Sequence, residues 1–254
     1  MGDRVTSKPI ISVKDKLKAS IKKTANALGV DIQYLSKVPR HNALGLRSMG
    51  IRAVIDVGAN TGQFARYIRS VLPEAKVICF EPLPEPFEEL KTWAMDQKGR
   101  VTALNIALGE KEGVVEMFQH TDHSPSSSLL HSTSVSHSYY PFTERETPVT
   151  VRLSTLDKSL TESGIDIDPG VLIKLDVQGY EDRVIKGAPL TFASAKACLT
   201  EIDFDTLYDG QCTFRDVWKL LDDLGYRYAG NFDQTYAADG HVIFADALFV
   251  RDVK

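Results

Sequence analysis

The stretch Val54-Ile55-Asp56-Val57-Gly58-Ala59-Asn60-Thr61-Gly62 joins a β-branched apolar run to a segment of helical period. Glycines at such a junction let the backbone come close to a ligand, and the helix N-terminus beyond them favours an anionic group. A dinucleotide fingerprint needs G-x-G-x-x-G. Here Asn60 stands two after Gly58 and the next glycine, Gly62, comes four after it. Asp56 would repel a diphosphate but attract an ammonium. A ligand with both a carboxylate and an ammonium satisfies the loop and the acid together. S-adenosylmethionine (SAM) is such a ligand, and Asp56, Gly58, Ala59, Asn60, Thr61 and Gly62 form its candidate cradle. A strand–turn–helix junction that needs glycine only for packing is the plainer alternative.

Glu81 ends the next apolar run, 19 residues after Gly62. An acid at that place in a doubly wound fold accepts hydrogen bonds from ribose hydroxyls. In Ile173-Lys174-Leu175-Asp176-Val177, a lysine and an aspartate interrupt a buried run on alternate residues and so share one face. Buried charges need partners or a role. Asp176 falls where open α/β sheets bind ligands, at a strand's C-terminal end. With Glu201 or Asp203, which end a neighbouring run, it could hold Mg²⁺ against substrate oxygens. His123, His131 and His137 are candidate general bases, because histidine is the side chain suited to proton transfer near neutral pH, although loop histidines are more often simply solvated. No HxH or HxxxH pair with carboxylates accompanies them, so they give no metal site of their own.

These residues need a frame of alternating strands and helices. Continuous apolar runs at 52–59, 76–82, 101–108, 171–177 and 196–204 predict strands buried on both faces. Residues 61–72, 84–94, 179–188 and 214–224 read as helices, the last opened by a Thr213/Asp216 capping box. Runs at 113–119 and 147–154 add smaller strands, and 226–232 with 241–252 form a terminal hairpin-like pair that predicts an antiparallel edge. Between them, residues 120–147 break the rhythm. They hold four histidines, and eight serines fall between 124 and 138. That length and composition predict a mobile lid over the site.

The chain has 254 residues, 43% hydrophobic and 25% charged, which suits one α/β domain with an appendage. No run is long and apolar enough for a membrane span or a secretory signal. Three scattered cysteines suggest neither a disulfide framework nor a metal site, and make a reducing cytoplasm the simplest setting. Residues 1–40 hold nine Lys and Arg against three Asp and Glu, while the rest of the chain is acidic. The body therefore lacks a nucleic-acid footprint. Residues 12–28 set Val13, Leu17, Ile21, Ala25 and Leu28 on one helical stripe. A helix packed on the main domain is the first reading, and a peripheral helix on a membrane surface the second.

The chain resembles the FkbM family of SAM-dependent methyltransferases. The resemblance rests on IDVGANTGQF, FEPLPE, SSSL at 126–129, STLD at 154–157 and KLDVQGYEDRVIKGA, in the family's order, and covers about residues 52–250. It implies an α/β fold: a doubly wound, Rossmann-like class I methyltransferase sheet of seven strands, the last antiparallel. Residues 46–254 would form that domain, behind a basic helical extension at 1–45. It implies that Asn105 and Ala107 flank the adenine and that Ser128 lies beside the cofactor. It implies O-methylation, often of sugars or natural products. Gln178 departs from the glutamate that many relatives carry.

The expected function is methyl transfer from SAM to a hydroxyl of a sugar or glycosylated small molecule, with Asp176, His131 or His123 as base. A macromolecule methyltransferase acting on RNA or protein is one alternative. A non-catalytic SAM-binding module in a biosynthetic assembly is another. Asp56 and Asn60 disfavour a nicotinamide-dependent dehydrogenase.

Overall fold

The computed structural model describes residues 13–165 and 170–251. Arg4, Lys8 and Ser12 of the basic segment and Asp252 of the last expected strand lie outside the described residues. The described residues fall into two compact units that meet in sequence at Asn42 and Ala43. The boundary has a packing reason, because Ala43 and Leu46 are fully buried in the hydrophobic core of the larger unit. The smaller unit holds a helix at Val13–Ala27, a 3₁₀ turn at Leu35–Lys37 and a short helix at Pro39–Asn42. Lys22 and Asp31 pair at 3.3 Å within it. No helix among the described residues is long and apolar enough to cross a membrane.

The larger unit contains β1 (Ala53–Val57), β2 (Lys76–Phe80), β3 (Val101–Leu104), β4 (Ala107–Leu108), β5 (Gly113–Gln119), β6 (Thr147–Ser154), β7 (Val171–Leu175), β8 (Ala197–Asp203), β9 (Tyr226–Tyr236) and β10 (Val242–Arg251). Seven strands form one sheet in the order β3-β2-β1-β7-β8-β10-β9. The pairs from β3 through β8 are parallel, and β10 runs antiparallel to both its neighbours. This is the class I methyltransferase sheet. The terminal pair forms the expected antiparallel edge. β10 inserts beside β8 and leaves β9 outside.

Sequence explains the centre directly. In β7, Val171, Leu172, Ile173 and Leu175 are completely buried. Each such side chain contributes about 1.5–3 kcal/mol relative to exposure. β1 and β2 show the same apolar run, buried on both faces. Helices cover the sheet, among them Gln63–Val71, which buries Ala65, Ile68 and Val71. The Phe214–Asp223 helix opens on the expected capping box, with Thr213 and Asp216 bonding each other's backbone N–H groups.

Two expectations change. The run 101–108 is not one strand. Asn105 turns the chain by donating from Nδ2 to the carbonyls of Glu81 and Pro82, both at 2.9 Å. Residues 107–108 then join β5 and β6 in a separate three-stranded sheet. Residues 120–147 are not a structureless lid. They contain 3₁₀ turns at Ser124–Ser126 and Pro141–Glu144 and a helix at Ser134–Tyr139 whose N-cap is Thr133. Bridges from Ser128 to Phe118 and from Ser132 to Tyr208 pin the segment to the body. Its serines supply local hydrogen bonds where a helix-forming sequence would supply an apolar stripe.

Candidate active site

The parallel strands all present their carboxyl ends on one side, where crossover loops leave a crevice. The β1 turn lies at its centre. Gly58 has φ +81°, and a Cβ there would lie 1.8 Å from the backbone carbonyl oxygen of Asp176. Only glycine fits between two strand ends that close. The Gly58 and Ala59 N–H groups both donate to the Phe80 carbonyl at 3.0 Å, and Asp176 N–H donates to Val57 at 3.0 Å. Three strand ends are thereby fixed to one another. Asn60 takes φ +47°, a left-handed conformation that asparagine tolerates. Its Oδ1 accepts from Thr61 N–H at 2.9 Å, and its Nδ2 donates to Ser124 Oγ at 2.9 Å. Gly62, also left-handed, precedes the Gln63–Val71 helix.

Glu81 is 4% exposed. Its carboxylate accepts from Asn60 N–H and Leu83 N–H, each at 2.8 Å. Burial lifts its pKa to about 7 against these two donors. Asp56 is likewise pushed up to about 7 by burial, with Lys174 acting in the opposite sense. Its Oδ2 is buried and has no hydrogen-bond partner. An orphaned carboxylate oxygen beside a glycine turn matches an ammonium donor, and a strand-end carboxylate matches a ribose. The residues present thus fit a SAM-type cofactor.

Lys174 is buried on β7, and its Nζ lies 3.1 Å from both Asp176 Oδ2 and Asp246 Oδ1. Burial opposes its charge, but the two carboxylates outweigh burial and its pKa is raised. Asp176 Oδ1 accepts from Gln178 Nε2 at 2.8 Å, and the same amide nitrogen donates to Glu201 Oε1 at 2.6 Å. Gln178 Oε1 accepts from Tyr208 OH at 2.5 Å. The amide therefore lies between two acids where a shared cation would go. Among the described residues, no group of three or more His, Cys, Asp or Glu side chains is arranged to hold a metal ion. Burial, and then repulsion from neighbouring carboxylates, raises the pKa of Glu201 and Asp203 well above the usual range.

Asp176 and Glu201 line a cavity of about 490 Å³ together with Gln178, His123 and the rings of Tyr140 and Phe142. Sequence reasoning reached the acids and His123. It missed Tyr140, Phe142 and Phe244, which line the same cavity from segments far apart in the chain. It also missed Asp246, although an acid inside the apolar run 242–250 carries the same signal as Lys174.

The other expected residues are engaged as follows. His123 Nδ1 bonds Ser126 Oγ at 2.8 Å at the cavity wall. His131 does not line the cavity; it bonds Glu146 at 2.6 Å and stacks on Phe118. His137 bonds Ser132 Oγ at 3.0 Å. Ser128 is buried and donates to the Gln178 carbonyl at 2.7 Å, so it holds a site residue. Ala107 packs in the small core with Leu83 and Met117. Asp157 of the STLD segment accepts from the Leu190 and Thr191 N–H groups, both at 2.9 Å, at the start of the Pro189–Ser194 helix.

The chain is 26% identical over 221 residues to the 2-O-methyltransferase NoeI of Sinorhizobium fredii (strain NBRC 101917 / NGR234), covering 84% of this chain and 86% of that protein. It is 28% identical over 154 residues to methyltransferase sdnD of Sordaria araneosa, covering 53% and 59% respectively. A SAM-dependent methyltransferase from Clostridium acetobutylicum ATCC 824 superposes with a TM-score of 0.45 at 8% identity, over 94% of this chain and 99% of that one. The methyltransferase FkbM domain matches residues 56–228, two-thirds of the chain, and the protein belongs to the FkbM family of methyltransferases.

Proposed function

We propose that the protein is a SAM-dependent O-methyltransferase whose acceptor is a hydroxyl of a sugar or glycosylated small molecule. One observation carries the reading. The backbone of Asp176 closes against Gly58 in the cofactor turn, while its carboxylate lines the acceptor cavity. A single residue thus joins the two halves of a transfer reaction. The name of NoeI supports oxygen as the acceptor atom. Asp56 and residues 58–62 would hold the amino-acid part of the cofactor, and Glu81 its ribose. When bound, the cofactor supplies a methyl group already activated on a sulfonium.

The chain's own task is placement and proton removal. Proximity accounts for much of such a reaction. An alcohol is a poor nucleophile at neutral pH, so a base must take its proton. Asp176 fills that role: Lys174 and Gln178 hold its two oxygens, and it faces the cavity. His123 is the second base within the cavity. A cavity of about 490 Å³ has room for one sugar unit. A cytoplasmic setting is consistent with Cys79, Cys198 and Cys212, all free and buried.

Radiolabelled SAM with a panel of glycosides tests the reading. Asp176→Asn should keep product affinity within a few-fold and slow transfer by ~10²–10⁴. Methylation at nitrogen, or an unimpaired variant, would overturn it.

A further inference from the structure

Building on that reading, we infer that the acceptor enters as an uncharged or cationic polyol ring, with no phosphate or carboxylate on the unit that is methylated. The part of the cavity formed by Asp176, Gln178 and Glu201 is rich in hydrogen-bond acceptors, and its own donors are engaged. Both N–H bonds of the Gln178 amide are already directed at Asp176 and Glu201. The hydrogen of Tyr208 OH has two acceptors, Gln178 Oε1 and the Ser126 carbonyl at 2.9 Å. A ligand that brings donors completes this set. Hydroxyls do so, with the strength of charge-assisted bonds where they meet a carboxylate. A phosphate brings acceptors alone.

Charge gives the same answer. Among the described residues that line the cavity there is no lysine or arginine. The nearest buried cation, Lys174, is engaged by Asp176 and Asp246 and does not line it. Even with protons held on Glu201 and Asp203, Lys174 is shared between two carboxylates, Asp176 and Asp246, so that cluster stays net negative and an entering anion finds no lysine or arginine in the lining to pair with. Like charges about 6 Å apart, at an effective dielectric of about 20, disfavour binding by about 10²-fold. Aromatic rings also line the cavity. The rings of Tyr140 and Phe142 lie 5.8 Å apart, and His123 lies 4.8 Å from Phe142. Such faces suit the C–H side of a sugar ring.

The consequence is an order of steps. A sugar activated as a phosphate or nucleotide ester must lose that group before this reaction, by glycosyl transfer or by ester hydrolysis. The product passed on is a methylated neutral glycoside.

The test compares neutral methyl glycosides with the same sugars as 1-phosphates, nucleoside diphosphate esters and uronic acids. Transfer from radiolabelled SAM is one readout. Binding to the protein saturated with S-adenosylhomocysteine, followed by ligand-observed NMR, is the second and needs no turnover. Neutral glycosides should bind and react, and their anionic counterparts should fall at least ~10²-fold below them in kcat/KM. Anionic sugars that bind or react as well as neutral ones overturn the inference and leave the proposed reaction standing. Neutral sugars that bind but are never methylated overturn the proposed reaction instead. Failure of every neutral glycoside to bind at millimolar concentration overturns both.

Discussion

Replacing Glu81 by glutamine separates two effects of one carboxylate. Glu81 is buried, accepts two backbone N–H bonds and has its pKa lifted by burial from 4.5 to about 7. The folded protein therefore holds this proton more tightly than the unfolded chain. Ionisation of Glu81 costs no stability below about pH 4.5, and the cost grows to about 3 kcal/mol once the pH passes 7. Ribose binding has the opposite slope, because hydroxyls bond the ionised form. If only that form binds, affinity should rise about tenfold between pH 6 and pH 8. Glu81→Gln removes the charge but must turn an NH₂ toward one of the two backbone donors, which costs about 1–3 kcal/mol. Calorimetry with 5′-methylthioadenosine isolates the effect, since that ligand lacks the ammonium that would meet Asp56. The variant should bind about 10–100-fold more weakly than wild type at pH 8 and show a flat profile. A flat wild-type profile, or equal affinities at pH 8, would refute the assignment of Glu81 to the ribose.

Gly58→Ala should abolish product binding and lower the melting temperature, because its Cβ meets the Asp176 carbonyl and the left-handed backbone alone costs about 1–3 kcal/mol. Thermal shifts with and without S-adenosylhomocysteine check this. Thr213→Ala removes the capping box and should cost about 1 kcal/mol in urea unfolding while leaving product affinity unchanged. His241 is bonded by Asp205 and Asp239, which raise its pKa. Its stabilising contribution is present in full below the ordinary histidine range and is lost as pH rises through the raised value. His241→Gln should therefore lose stability at pH 6 and little at pH 9; equal losses at both would contradict the pairing.

The parallel core was legible because each strand end coincides with a break in an apolar run. β1, β2, β7 and β8 lie within a residue or two of the expected bounds. Local signals also gave the Thr213 cap and β5 and β6, which match their expected runs. The failures share a cause. Asn105 ends β3 through bonds to residues more than 20 positions earlier, which no local pattern contains. Residues 120–147 fold by attachment to Phe118 and to residues near Tyr208, so their own composition reads as loop. The acids of the site were visible as charges in apolar strands. The rings of Tyr140, Phe142 and Phe244 were not, because an aromatic residue becomes a cavity wall only when distant segments meet.

The contact between Gly58 and the Asp176 carbonyl also bears on how the enzyme can diverge. It fixes the separation of the cofactor turn and the proposed base through main chain alone, with no side chain as intermediary. The walls of the proposed acceptor cavity come largely from elsewhere: the inserted segment carries Tyr140 and Phe142, and the β9–β10 hairpin carries Thr235 and Phe244. Substitutions in those walls can reshape the cavity without altering the reach between methyl donor and base. Acceptor preference can then drift from one lineage to another while the transfer geometry is inherited intact.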